Sequence, residues 1–264
     1  MHLKPTVLGL LIYAAMLAHL GAGTALSRGR RGEGRLLYGA GFALAAAALG
    51  VRWLQVGHLP LDDLFGVFLC LGVLSWPLAV FGRRALGVEE TGADAVIGAL
   101  VLFPAGFVFT AQPRALPIAL QSWLFAPHIL AYMLGYVVMA KAGVQAWYSL
   151  KGHEHDGDPQ LDSHETATFR LIRFGFPLLT LGLVLGAVWG QRAWGDYWNW
   201  DPKELWGLAM WLVYVAYFQV RHMFGERAKP ACSGIALGGV GVIVVTLLWV
   251  NLSRLFAGLH TYAR

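Results

Sequence analysis

The sequence predicts an all-α fold, a polytopic membrane bundle of about eight transmembrane helices, and three observations carry that prediction. Hydrophobic residues make up 57% of the 264-residue chain and charged residues only 13%, about half the charged share of a soluble domain this long. The apolar residues gather in runs of about 20, the length an α-helix needs to cross a hydrocarbon core of about 30 Å. Backbone groups in lipid must be paired within their own segment, so such runs are helices rather than open strands.

Taken in order, the runs lie at roughly 5–26, 36–56, 64–81, 94–111, 123–149, 173–191, 203–223 and 233–257. The first lacks the strongly basic n-region of a cleaved signal peptide, and the chain keeps re-entering the membrane after it. Together they are expected to form one integral membrane domain, 1–264. Most connections are short. Residues 112–122, QPRALPIALQS, leave room for a short interfacial helix. Residues 151–169, KGHEHDGDPQLDSHETATF, form the markedly polar stretch. It reads as a solvated linker between helices five and six; the alternative is a metal site built from His153, His155 and His164 with neighbouring carboxylates.

Lys and Arg in the loops set orientation. Counted alternately, one side carries twelve and the other seven, and the dense cluster SRGRRGEGR follows the first helix. The richer side is therefore cytoplasmic, with both termini outside. The net charge of +5 reads as topology, because a nucleic-acid partner would need a basic stripe on one face and none is visible. Cys70 and Cys232 form no C-x-x-C pair and read as apolar filling. The chain has no CxxCH motif, so it carries no covalent haem of its own.

The segment WGDYWNWDPKELW, residues 194–206, then falls in the outer loop between helices six and seven. Its end is a helix start, with Asp201 at N-cap, Pro202 at N1 and Glu204 at N3. Aromatic belts at membrane interfaces account for one or two rings per helix end. They do not account for Trp194, Tyr197, Trp198, Trp200 and Trp206 alternating with Gly195, Asp196 and Asn199. Such a cluster offers a flat apolar platform with polar edges, suited to a planar macrocycle bearing carboxylates.

The spacing W-G-x-x-W-x-W-D resembles the tryptophan-rich signature of membrane haem-handling proteins. Its continuation DPKELWGLAMWLVYVAYFQVR is similar to the CcsA/ResC branch, which serves cytochrome c maturation by System II. The related CcmC branch has fewer helices and a different continuation. The resemblance covers most of the chain in helix count and about 140 residues in motifs. It implies transient, non-covalent haem b on the outer face of the bacterial inner (plasma) membrane. It also implies delivery to the CxxCH of apocytochrome c and a CcsB/ResB-type membrane partner. Trp194, Gly195, Tyr197, Trp198, Trp200, Asp201 and Trp206 would form the platform.

In proteins of that type one histidine at the start of a helix precedes the tryptophan-rich segment, and another follows it near the C-terminus. His128, in LFAPHILAYMLGY, and His260, in GLHTYAR, match those places. The resemblance implies that they are axial ligands, for which neutral imidazole suits haem iron. Three features far apart in sequence thereby reach one membrane face. His58, in GHLPLDDLF, resembles a further family segment in part; its residues read rather as capping or orienting a tight Gly-Pro turn.

The resemblance breaks on helix seven, where Gln219 stands at the place of a second, intramembrane histidine ligand. His222 lies one turn further on the same face and is either a substitute or an interfacial residue. Lys141, inside helix five, either reaches a buried acid or snorkels inward. No acid–base dyad or Ser/Cys nucleophile appears in the outer loops, which points to a subunit of a holocytochrome c synthase that acts by positioning. Two rivals remain. A HemX-like regulator of haem biosynthesis would leave cytochromes c intact when deleted. A transporter or quinone-linked bundle would bury its polar groups at the midplane.

Overall fold

The computed structural model describes residues 4, 6–89, 91–113, 115–152 and 163–249. Among them there are eight α-helices and no strand. α1 spans Val7–Ser27, with the Thr6 hydroxyl accepting the Gly9 N–H at 3.2 Å as its N-cap. α2 spans Arg31–Val56 and closes on Gly57, whose φ of 75° is left-handed. α3 spans Leu64–Ala85. α4, Gly92–Phe103, starts with a Thr91/Asp94 capping box and runs into a π-helical turn at Pro104–Val108. α5 spans Phe125–Leu150, α6 His164–Trp194, α7 Pro202–Phe224 and α8 Lys229–Val244, the last followed by a second π turn, Val245–Trp249. A three-residue 3₁₀ turn, Ile118–Leu120, is the short helix the 112–122 loop has room for.

These helices meet the eight expected runs one for one. Six of them, α1, α2, α3, α5, α6 and α8 with its π turn, are long and apolar enough to cross a membrane; α4 with its π turn is a shorter apolar helix. The chain is an integral membrane protein.

α6 departs from expectation, beginning at His164 instead of near residue 173. The Ser163 hydroxyl accepts the Thr166 N–H at 3.2 Å and caps the added turns. Glu165 is buried and pairs with Arg221 of α7, whose guanidinium also lies 4.1 Å above the Phe169 ring. The polar end of the 151–169 stretch is therefore packed helix and not linker, and at about 1.5 Å per residue α6 outreaches a hydrocarbon core. His164 donates through Nδ1 to Gln145 Oε1 at 2.6 Å. His153 and His155 lie outside the described residues. Among the described residues no His/Cys/Asp/Glu group is placed to hold a metal ion.

The chain divides into two compact units, 1–83 with 89–120, and 84–88 with 121–264. In the first, Ala22, Tyr38, Ala79 and Ala95 form a core backed by Leu26 and Trp76. Part of its polar interior serves the end of α4 and the loop after it. The π turn leaves carbonyls without helical donors, and cations suit the negative end of a helix. Lys4 donates to the carbonyls of Ala105 and Phe109, Tyr13 to Gly106 at 3.1 Å, and Arg52 to Ala111 at 2.5 Å and Gln112 at 3.2 Å. Burial lowers the Lys4 pKa, helped by the Arg52 charge and opposed by Asp63. In the second unit α5 and α6 lie close because glycines replace side chains at their contact. A Cβ on Gly135 would stand 2.5 Å from Leu179, and one on Gly182 would stand 2.8 Å from the Tyr132 ring.

Candidate functional site

The tryptophan-rich segment of the second unit is a short, tightly anchored loop. α6 ends as Gly195, at φ 92°, donates its N–H to the Gln191 carbonyl. α7 begins with the expected capping box, in which Asp201 accepts the Lys203 N–H at 2.9 Å. Glu204 accepts two N–H groups, from Asp201 at 3.1 Å and Asn199 at 2.8 Å. One carboxylate thus fixes both the helix start and the backbone two residues before it. Asp201 is 5% exposed.

Between these anchors the rings splay. Trp198 and Trp200 meet edge to face at 6.0 Å. Trp200 is held at φ 57°, a left-handed backbone that a bulky residue enters only at a cost. Tyr197 and Trp200 are 62% and 69% exposed, while Trp194, Trp198 and Trp206 are half-buried. The loop therefore presents large apolar rings outward from a rigid base. Asn199 Nδ2 is buried without an acceptor among the described residues.

His128 joins this loop through α6. It lies in the first turn of α5 and is 9% exposed. Its Nδ1 is 2.8 Å from the Gly182 carbonyl on α6. A carbonyl only accepts, so Nδ1 carries the proton and the lone pair of the neutral ring is on Nε2. The ring stacks on Trp189 at 5.9 Å and 14°, and Tyr132 meets it edge-on at 5.3 Å. Trp189 in turn packs edge to face on Trp194 at 4.8 Å. A continuous aromatic path thus runs from the imidazole to the first ring of the loop. Trp189, Gly182 and Gly186 were not expected from sequence. Their available signal was the glycine spacing 182, 186, 190 on a helix that ends in the loop.

The other expected residues fall elsewhere. His260 lies outside the described residues. His58 belongs to the first unit, where its Nδ1 donates to the Leu59 carbonyl at 3.1 Å within the turn after Gly57 and lies 3.8 Å from Asp62. Gln219 and His222 are both exposed on α7. Lys141 is buried in α5. Cys70 and Cys232 are buried thiols.

Residues 62–260 match the family described as cytochrome C assembly protein, a span from the α2–α3 turn through His128 and the tryptophan-rich loop. The chain is similar to the cytochrome c biogenesis protein CcsA of Guillardia theta, 33% identical over 252 residues, covering 81% of this chain and 80% of the relative. It is 31% identical to the Chlamydomonas reinhardtii CcsA over 242 residues, covering 86% and 67%. With the Synechococcus elongatus (strain ATCC 33912 / PCC 7942 / FACHB-805) CcsA it shares 30% over 287 residues, covering 84% and 86%. An eight-helix membrane chain that matches over this span belongs to the cytochrome c assembly protein family, as a CcsA-type cytochrome c biogenesis protein.

Proposed function

We propose that this chain binds haem b non-covalently beside the tryptophan-rich loop of its second unit. It presents that haem at the outer face of the bacterial inner membrane for attachment to the CxxCH of apocytochrome c. The observation that carries the reading is the state of His128. Iron-ligating imidazoles take the metal on one nitrogen while the other donates to a carbonyl or carboxylate. His128 has that arrangement, with Nδ1–H on Gly182 and the lone pair on Nε2. The rest of the site suits the same cargo. Trp194, Trp198, Trp200 and Tyr197 offer faces for a macrocycle, and Asn199 Nδ2 is a buried donor suited to a propionate. Gly195, Asp201 and Glu204 hold the loop, and Trp206 lies within its closing helix turn.

His128 and His260 would be the two axial ligands. Two imidazoles keep the iron closed until a histidine of the acceptor displaces one of them. The acceptor brings both thiols, so the chain's task is to hold vinyl groups and sulfurs close and oriented, an effect large enough to drive such bond formation. This is the work of a synthase subunit that positions its substrates, alongside a CcsB/ResB-type partner. Loop counting puts both termini and the tryptophan-rich loop outside.

The test is the absorption spectrum of detergent-purified protein, oxidised and reduced, expressed with ample haem and a CcsB-type partner. Sharp low-spin bands in the wild type that disappear in the His128→Ala/His260→Ala variant are the expected result. A colourless wild type, or bands that persist in the double variant, would overturn the assignment. Deleting the chain should remove c-type cytochromes from membranes; their survival would favour the regulator of haem biosynthesis.

A further inference from the structure

We infer that Gly186 is a positioning residue for His128: its missing side chain is the seat that holds the imidazole on the Gly182 carbonyl and so selects which ring nitrogen faces the iron. The inference deepens the haem reading above and rests on it for its consequence, though not for its geometry. A Cβ on Gly186 would stand 2.6 Å from His128 Cε1, 3.0 Å from Nδ1 and 3.4 Å from Nε2. Carbon atoms do not approach so closely; an added methyl must push the ring away by several tenths of an ångström. The ring has little freedom to yield. It is tied to Gly182 by a 2.8 Å bond, stacked on Trp189 and met edge-on by Tyr132. A displacement is therefore taken from the bond, the stack or both, and a ring that loses its Nδ1–H acceptor loses the bias that leaves the lone pair on Nε2.

The neighbouring glycines do different work, which separates this role from ordinary helix packing. A Cβ on Gly182 would meet the Tyr132 ring first, at 2.8 Å, and one on Gly190 would meet Asp196 O at 3.4 Å and Trp194 at 3.6 Å, an acceptable fit. Gly135 supplies the control. A Cβ there would lie 2.5 Å from Leu179, so Gly135→Ala loosens the α5–α6 contact without touching His128.

Two readouts test this. The first uses the haem-free chain, with ¹⁵N-histidine labelling and His128 identified by its loss in His128→Gln. The wild type should show His128 as the Nδ1–H tautomer, Gly135→Ala should keep it, and Gly186→Ala should give a mixture. Retention of the wild-type tautomer in Gly186→Ala, or a mixture already in the wild type, would overturn the inference. A wild type that shows the tautomer yet never takes up haem would leave the seat standing and sink the haem reading alone. The second readout is the haem spectrum with 10 mM-scale imidazole added to cavity variants. His128→Gly and His128→Gly/Gly186→Ala should recover low-spin bands to the same extent, because free imidazole can shift where a tethered ring cannot. Gly186→Ala alone should retain haem about tenfold less well. Should Gly186→Ala fail to fold, folding of His128→Gly/Gly186→Ala would confirm a clash with the imidazole, whereas its failure would assign Gly186 to packing and overturn the inference.

Discussion

His19 and His128 are both buried histidines of membrane helices, each with Nδ1 bonded to a backbone carbonyl and each pressed against glycines. They differ in where their bonds go. His19 is fully buried in the first unit, and Nδ1 donates to Ala15, one turn back on its own helix, at 2.7 Å. Its Nε2 faces Ser75 Oγ at 3.3 Å, where the one Ser75 hydroxyl proton is shared between that nitrogen and the Gly72 carbonyl at 2.7 Å. Cβ atoms on Gly41 and Gly98 would lie 2.4 Å and 2.3 Å from the ring. Both nitrogens are thus spent inside the unit, and two glycines clamp the ring. His128 sits at a helix end, bonds across to another helix, and stacks toward the loop through Trp189. An intramembrane histidine is a functional candidate by default, and these two differ in whether Nδ1 ties the ring back to its own helix or across to the helix that ends in the tryptophan-rich loop.

The comparison breaks most readily with alanine at each place. His19→Ala should cost about 3 kcal/mol of stability, from the cavity and the lost bonds, and leave the haem spectrum per bound haem unchanged. His128→Ala should remove one axial ligand and with it the low-spin bands, while lowering the melting temperature less. Thermal melts and spectra on both variants decide it, and a spectral change in His19→Ala would erase the distinction.

The next effect concerns the loop anchors. Replacing Asp201 by Ala removes an N-cap at a cost of about 1 kcal/mol. Glu204→Ala strips the acceptor from the Asn199 and Asp201 amides. Either change should speed hydrogen exchange of the loop amides roughly fivefold, the factor that 1 kcal/mol allows, and weaken haem retention in parallel. Faster exchange with unchanged retention would mean that the base of the loop need not be rigid.

Trp200 gives a smaller effect of opposite sign. Its φ of 57° is a conformation that glycine adopts freely and tryptophan does not. Trp200→Gly relieves that strain but gives the unfolded chain more freedom, so it should raise stability by about 0.5–1 kcal/mol net, while the loss of an outward ring lowers haem retention. A variant that gains stability and keeps haem would remove Trp200 from the platform.

Much of this was legible in the chain. Eight apolar runs became eight helices, and Asp201, Pro202 and Glu204 formed the capping box their order predicts, because both features depend on spacing within one segment. The start of α6 was missed because what makes a polar turn helical there is Arg221, 56 residues away from Glu165. His128 could be singled out by motif, but its tautomer depends on a carbonyl 54 residues later, and no local pattern encodes that. The capping of the α4 end by Lys4, Tyr13 and Arg52 was hidden for the same reason.

The smallest effect tests whether the charged end of the first unit is structural, like His19. Asp62 is 8% exposed, and its Oδ1 has no hydrogen-bond partner among the described residues. Burial raises its pKa, the neighbouring Asp63 charge adds to the rise, and its own backbone N–H, His58 and Arg52 oppose it only in part. A carboxyl with a raised native pKa binds its proton more tightly folded than unfolded. Stability therefore falls as pH climbs from the ordinary value of about 3.9 through the native one, and the deficit persists above it. Asp62→Asn cannot ionise and escapes that deficit. The variant should be slightly more stable than the wild type at pH 7, and the difference should close as pH is lowered toward 4. Melting curves across that range check it. A gap that widens on acidification would mean that the Asp62 carboxylate is a paired, stabilising group, as Asp63 is with Arg52 at 3.0 Å. An unchanged haem spectrum in Asp62→Asn would place this cluster with His19. A lost spectrum would mean that the first unit contributes a working group of its own, and that burial with imperfect pairing marks function there too.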